Sequence, residues 1–157
     1  MEREWEKVLG KFTYGIYVLT TSHKDSFNGM IASWVSQISY DPPLVGVAIH
    51  PNRYSHKLIL EGRKFALNIV PGNCSNWLVR FKGPDPFEKF QGISWKRGST
   101  GCPILEESIG YLECELVGHY SPGNHTLFVG KIIGGQLFRD KPPLTTLDYR
   151  GVYLGKH

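Results

Sequence analysis

The residue types best suited to holding a ligand are concentrated between Asn28 and Pro43, in the run NGMIASWVSQISYDPP. A strand built only to fill a core alternates large β-branched residues with charges. This one carries Ala32, Ser33, Ser36, Gln37 and Ser39, which permit close approach and offer hydrogen bonds. Such a strand, read as one element over 28–39 after a positive-φ turn at Asn28-Gly29, suits a flat heterocycle with a polar edge. The competing reading is plain packing, in which small side chains let a second backbone come close. Three further groups could act on the same ligand. In HPNRYSHK, residues 50–57, a strand ends and a helix begins, so free N–H groups, the Arg53 fork and the Ser55 hydroxyl can seat a phosphate. An ordinary capped helix with an exposed arginine explains the same residues. His125 follows the turn Pro122-Gly123-Asn124, where an imidazole can polarise a ring carbonyl or meet a hydride donor. A solvated turn histidine is the alternative. Lys89, beside Phe90, can reach an anionic group or simply sit on the surface of a short helix.

Other chemistries lack their residues. Neither GxxxxGK[ST] nor GxGxxG occurs, and no nucleophile elbow, HExxH or paired metal ligands are present. Cys74, Cys102 and Cys114 are an odd set without CxxC spacing, as expected for reduced, mostly buried thiols. Redox chemistry lent by a cofactor needs only a fitted pocket and remains. The net charge of +4 and pI of about 9.0 admit an anionic partner, but the basic residues are scattered, so nucleic-acid binding is not expected. No apolar run approaches the roughly 20 residues that cross a bilayer. A cytoplasmic protein without membrane contact is expected.

These residues have to be positioned by a single domain spanning 1–157, with 41% hydrophobic and 13% aromatic residues for its core. The opening EREWEKVLGKF has Trp5, Val8, Leu9 and Phe12 at helical spacing, and predicts an amphipathic helix docked through them. Strands are expected over 14–22, 44–50 and 65–71, the first forming a hairpin with the 28–39 run. Asp41-Pro42-Pro43 ends that run, since proline cannot donate to a ladder. A helix capped by Asn52 or Ser55 carries Leu58, Ile59 and Leu60 inward and stops at Gly62. Short helices broken at Gly83-Pro84 lead to a strand near 93–96. A long hairpin turns at Pro122-Gly123-Asn124, its first arm alternating Leu112, Cys114 and Leu116 with Glu113, Glu115 and Val117. One or two short strands are expected in the tail. Six or seven strands without regular βαβ alternation predict a mainly β, antiparallel barrel or sandwich with short flanking helices.

The order of FTYGIYVLTT, NGMIASWVSQISYDPPLVGVAI, FALNIV, EKFQG, LECEL, GNHTLFVGKI and a tyrosine-containing tail resembles the flavin reductase-like, FMN-binding split-barrel proteins. These include flavoredoxins and the reductase partners of two-component monooxygenases. The resemblance implies a Greek-key split barrel that forms a homodimer and holds FMN, with FAD as the other flavin. It implies that Asn28, Met30, Ala32, Ser33, Trp34 and Ser36 line the ring and ribityl chain, that Arg53 and Ser55 hold the phosphate, and that Lys89 approaches the flavin. His125 matches the residue where NADH or NADPH meets the ring. Trp34 looks like the flavoredoxin branch, because the reductase partners generally carry a smaller residue there. Many members have Gly-Asp-His at the turn, whereas this chain has Gly123-Asn124-His125, which removes a carboxylate beside the histidine. The implied activity is electron transfer from NAD(P)H to flavin and on to an acceptor such as a redox protein. The alternative is a flavoredoxin-like carrier with tightly bound FMN and no nicotinamide activity.

Overall fold

Two residues, Ser33 and Trp34, set the shape of the barrel. The computed structural model describes residues 3–149 and 151–156. Its main strands are β1 (Tyr17–His23), β2 (Ser26–Ala32), β3 (Val35–Ser39), β4 (Leu44–Ile49), β5 (Lys64–Ile69), β8 (Gly110–Tyr120) and β9 (Thr126–Leu137). They form one antiparallel sheet in the order β2-β1-β5-β8-β9-β4-β3. Its two edges, β2 and β3, are consecutive in the chain and joined only by Ser33 and Trp34. Three Cα–Cα steps from Ala32 to Val35 span at most about 11 Å, so the sheet curls until the end of β2 meets the start of β3. They do not pair with each other, and the result is a split barrel. The 28–39 run is therefore two strands. Between them, Val35 N–H bonds to the Ser33 carbonyl at 3.0 Å and the Trp34 carbonyl accepts from Ala48 N–H at 3.0 Å.

The expected first hairpin is present, but it turns at Lys24, which adopts φ 55°. Asn28 and Gly29 lie inside β2, opposite Thr21 and Thr20. Gly29 is needed for closeness: a Cβ there would stand 2.9 Å from Phe90 and 3.1 Å from Phe81. Plain packing thus explains that one small residue. Leu19, Val47, Phe65, Leu67, Cys114 and Phe128 fill the barrel interior. A second cluster, with Val18, Trp77, Leu78, Phe81 and Phe90, covers the outer face of β1. It is supplied in part by α3 (Trp77–Arg80) and α4 (Pro86–Phe90), with the expected break between them. Because both faces of β1 are covered, its hydroxyls need internal acceptors. Thr20 donates to the Pro103 carbonyl at 2.6 Å and Thr21 to the Lys64 carbonyl at 2.8 Å.

Several expectations are corrected. The opening helix α1 is shorter, Glu4–Leu9, and Trp5, Val8 and Phe12 are 54%, 62% and 50% exposed. Glu6 is the residue turned inward, with its carboxylate 2.6 Å from Lys156 Nζ, so an ion pair to the tail anchors this helix instead of an apolar face. Helix α2 (Tyr54–Gly62) is capped by Arg53 without a side-chain bond, and Leu60 is exposed. Arg63 takes the left-handed turn after it, at φ 58°. Gly62 is a close approach, since a Cβ there would collide with the Ser22 carbonyl. The expected alternation of β8 is present, with Leu112, Cys114 and Leu116 packed inward and Glu115 and Val117 exposed, although the pairing register shifts between Glu113 and Cys114 and between Leu116 and Gly118. Glu113 is the exception: residues 98–100 cover it, and Thr100 N–H and the hydroxyls of Thr100 and Ser99 bond its carboxylate at 2.9, 2.6 and 3.0 Å. Burial pushes that carboxyl up, but these donors outweigh it and hold it below its ordinary range. The strand near 93–96 is β6 (Trp95–Arg97), paired with β7 (Pro103–Leu105) in a separate ribbon. Among the described residues the tail makes isolated bridges at Thr145 and Pro143 in place of strands.

Candidate functional site

The seam of the barrel opens into a cleft with two chemically different ends. Cavities of about 310 and 300 Å³ adjoin there, with Met30, Arg53 and Lys82 bordering both. The first is a slot walled by Met30, Ala32, Ile49 and Leu78 and rimmed by Ser33 and Trp34. The second is polar, walled by Asn28, Asn52, Arg53, Lys82 and Lys89.

Strand β2 points Asn28 into the polar end and α4 brings Lys89 to meet it. Lys89 Nζ donates to Asn28 Oδ1 at 3.0 Å and to the Gly29 carbonyl at 2.8 Å. Asn28 Nδ2 donates to Ser55 Oγ at 3.0 Å. All three side chains are buried, so the network is fixed by the packing around it. The Arg80 guanidinium holds the Lys89 and Gln91 carbonyls, at 3.2 and 2.5 Å, and so fixes the end of α4. Burial, and then the neighbouring Arg53 charge, push the Lys89 ammonium down to about 8. None of the ion pairs among the described residues engages Arg53, Lys82 or Lys89. This end therefore carries positive charge without a counterion, beside the N-terminus of a nine-residue helix.

The other end is aromatic. Trp34 packs against His125 and Tyr153, with ring centroids 4.6 and 4.9 Å apart. His50 meets His125 edge-on at 5.1 Å. His125 is buried and doubly bonded: its Nδ1 lies 2.7 Å from Asn124 Oδ1 and its Nε2 2.7 Å from the Tyr153 hydroxyl. Burial, and then the proximity of His50, lower its basicity. The imidazole is accordingly neutral near pH 7. The Trp34 indole N–H is buried and has no hydrogen-bond partner among the described residues.

Of the residues selected from the sequence, Asn28, Met30, Ala32, Ser33, Trp34, Arg53 and Lys89 border the cleft. His125 stands behind Trp34 at its mouth. Ser55 is reached only through Asn28. Ser36 lies outside the lining, exposed on β3 with its hydroxyl on the Gln37 carbonyl. Lys89 is not a surface residue, because the pocket between Gly29 and Arg80 takes it in. Lys82, Tyr149 and Tyr153 also line the cleft. Lys82 follows α3 as one of many scattered lysines, so no local pattern singles it out. Tyr153 is placed by tail contacts across 28 residues of sequence.

With this geometry in view, comparisons with known proteins agree on one family. The model of the flavin reductase like domain matches residues 9–155. A high molecular weight rubredoxin of Moorella thermoacetica is 31% identical over 95% of this chain, which spans 67% of its length. The reductase subunit of a flavin-dependent monooxygenase of Mycobacterium tuberculosis is 31% identical over 98% of this chain and 81% of its own. A ferric-chelate reductase (NAD(P)H) of Archaeoglobus fulgidus is 28% identical, covering 93% of this chain and 89% of its own. In a diflavin flavoprotein of Synechocystis the match occupies only 27% of the length. The structure of nitrilotriacetate monooxygenase component B from Mycobacterium thermoresistibile superposes with a TM-score of 0.85 at 30% identity, over 95% of this chain and 83% of that one.

Proposed function

The chain belongs to the flavin reductase-like family, and from that premise we propose that it binds FMN in the seam cleft and passes electrons from NADH or NADPH through the flavin to an acceptor. The reading rests on one observation: an apolar slot runs into a pocket lined by Arg53, Lys82 and the buried Lys89, which no ion pair among the described residues engages. A planar ring with a phosphate on a polar tether matches both ends, and the unpartnered Trp34 N–H offers a donor beside the slot. The phosphate end favours FMN, and an FAD pyrophosphate is accepted by the same charges. Relatives named as an NAD(P)H ferric-chelate reductase and a monooxygenase reductase subunit support the donor and the class of reaction.

Arg53, Lys82 and Lys89 would hold the phosphate and ribityl end, and Asn28, oriented by Ser55 and Lys89, would offer its remaining capacity to the polar edge. Met30, Ala32 and Ile49 exclude water from the slot. When bound, flavin supplies acceptance of a hydride and release of electrons singly or in pairs. His125, neutral and held from both sides, marks the mouth at which a donor ring arrives. Residues 1–157 act as one flavin-binding domain, with a cytoplasmic site consistent with three free thiols. A homodimer would cover the exposed Ile38 and Tyr40 of the edge strand and the turn that follows it. Purified protein mixed with FMN and NADH or NADPH under air is expected to oxidise the nucleotide in a flavin-dependent way; no such oxidation with either nucleotide would overturn the reductase reading.

A second reading is favoured by Tyr153, which caps His125 Nε2 at 2.7 Å. In it the protein is a flavoredoxin-like carrier that keeps FMN through gel filtration and exchanges electrons with a redox protein while ignoring NAD(P)H.

A further inference from the structure

Residues 151–155 cross the mouth of the cleft without belonging to a strand or helix. Three contacts hold them there. Asn124 Nδ2 donates to the Gly155 carbonyl at 2.9 Å. Tyr153 lies against Trp34 and bonds His125. Gly155, at φ +75°, presses on both rings: a Cβ there would stand 2.6 Å from Trp34 and 2.8 Å from His125 Cε1. The left-handed backbone and the closeness of the rings both require glycine.

Asn124 is the residue common to the strap and the histidine. An amide nitrogen can only donate, so the bond to the Gly155 carbonyl fixes which way the Asn124 side chain points. Its Oδ1 then faces His125 Nδ1 and can only accept, so the proton of the neutral imidazole sits on Nδ1. Nε2 is left as an acceptor, and the Tyr153 hydroxyl donates to it. A carboxylate at position 124 could accept from the imidazole, but it would repel the Gly155 carbonyl. The amide alone does both jobs.

We propose that Asn124 is a positioning residue that latches residues 151–155 over the His125–Trp34 end of the cleft and fixes His125 in its Nδ1–H form, so that a nicotinamide ring reaches His125 only after the latch opens. The second clause rests on the function proposed above; the latch and the tautomer do not. Tyr153 occupies the aromatic face and the Nε2 acceptor that an incoming ring would use. Opening the strap is therefore a cost carried by donor binding, while the basic pocket proposed for the flavin phosphate has no strap residue in its lining.

Two variants open the latch from its two sides. Asn124→Ala removes the latch and the tautomer-fixing acceptor. Gly155→Ala pushes the strap off the rings and frees the Asn124 amide from the Gly155 carbonyl. Nitrogen NMR of the flavin-free protein reads the His125 tautomer, and an NOE between the Gly155 α-protons and His125 Hε1 reads the strap. The wild type is expected to show the Nδ1–H form and the NOE. Both variants should lose the NOE and the fixed Nδ1–H form, because in each the Asn124 amide no longer links His125 to the Gly155 carbonyl. In the flavin-reduction assay both variants should lower the KM for NADH or NADPH several-fold with kcat and flavin affinity little changed. An NOE that survives in Asn124→Ala, or an Nε2–H wild type, overturns the latch. An unchanged or raised donor KM in Gly155→Ala overturns the claim of competition. Absence of turnover in every variant counts against the reductase function alone, since the NMR results decide the latch without it.

Discussion

The two ends of the cleft are positioned by opposite means. At the basic end, Asn28, Ser55 and Lys89 come from a strand and two helices that the core already holds, and all three are buried. At the aromatic end, His125 and Trp34 are completed by Tyr153 and Gly155 from a segment with no secondary structure, tied down by a few hydrogen bonds and ring contacts. Hydrogen bonds of that kind contribute about 0.5–1.5 kcal/mol each, small enough for a ligand to displace. A cleft built this way has a permanent seat for one partner and a removable cover over the approach of another. That matches a cofactor that stays and a donor that comes and goes.

Damage to the permanent seat should have the larger effect. Lys89→Ala leaves Asn28 Oδ1 and the Gly29 carbonyl without their buried donor and removes a charge from the pocket. At about 1.5–3 kcal/mol for a charged hydrogen bond, FMN affinity should fall on the order of 100-fold in a fluorescence titration. A change below about threefold would remove Lys89 from the seat. Arg53→Ala is next: FMN should weaken by about tenfold through loss of one charge-assisted contact, while riboflavin binding stays the same. Equal losses for FMN and riboflavin would show that Arg53 does not meet the phosphate.

These contrasts also mark what could be read from the sequence. Arg53 stood out because a helix follows a strand there and its guanidinium can fork a phosphate, whereas Asn28 and Trp34 were placed at the ligand only through the family resemblance. The barrel class was legible from strand count and turn chemistry. The seam was not, because a run of β-rich residues from 28 to 39 gives no local sign that it changes sheet edges at Ser33. Burial of Lys89 was equally hidden: it depends on Gly29 and the Arg80 clamp, sixty and nine residues away. The tail was misread as strand because Tyr153 has β-propensity, while its actual partners, His125 and Trp34, are set by the barrel. Asn124 looked like a lost carboxylate; in the structure it is an amide that uses both of its ends.

The two ends should also respond to opposite limits of pH. Lys89 is pushed down to about 8, so above that value the free protein has lost the charge a phosphate needs. FMN affinity is expected to fall between pH 7.5 and 9.5, by at most about tenfold per unit, with no such slope in Lys89→Ala or with riboflavin. Without ligand the trend in stability reverses: the charged ammonium is disfavoured in the folded chain, so stability rises as pH climbs from about 8 towards the ordinary lysine value.

The smallest effect belongs to the histidines near the mouth. His56 is lowered by burial and then by His119 and His50, and His125 by burial and then by His50. The unfolded chain therefore takes up protons near the ordinary histidine value before the folded chain does. Stability is lost as pH falls from there towards the lower folded values. The Tm is therefore expected to fall between pH 7.5 and 5.5. His56→Gln keeps an amide within reach of the Thr126 hydroxyl, which His56 Nε2 now meets at 2.8 Å, and removes the titration. It should remove part of the acid-side loss, and adding His125→Gln should remove more, at a cost to the strap through the missing Tyr153 contact. If both variants melt with the wild-type pH dependence, the repulsion among these rings does not limit stability, and the mouth is held by its apolar and tail contacts alone.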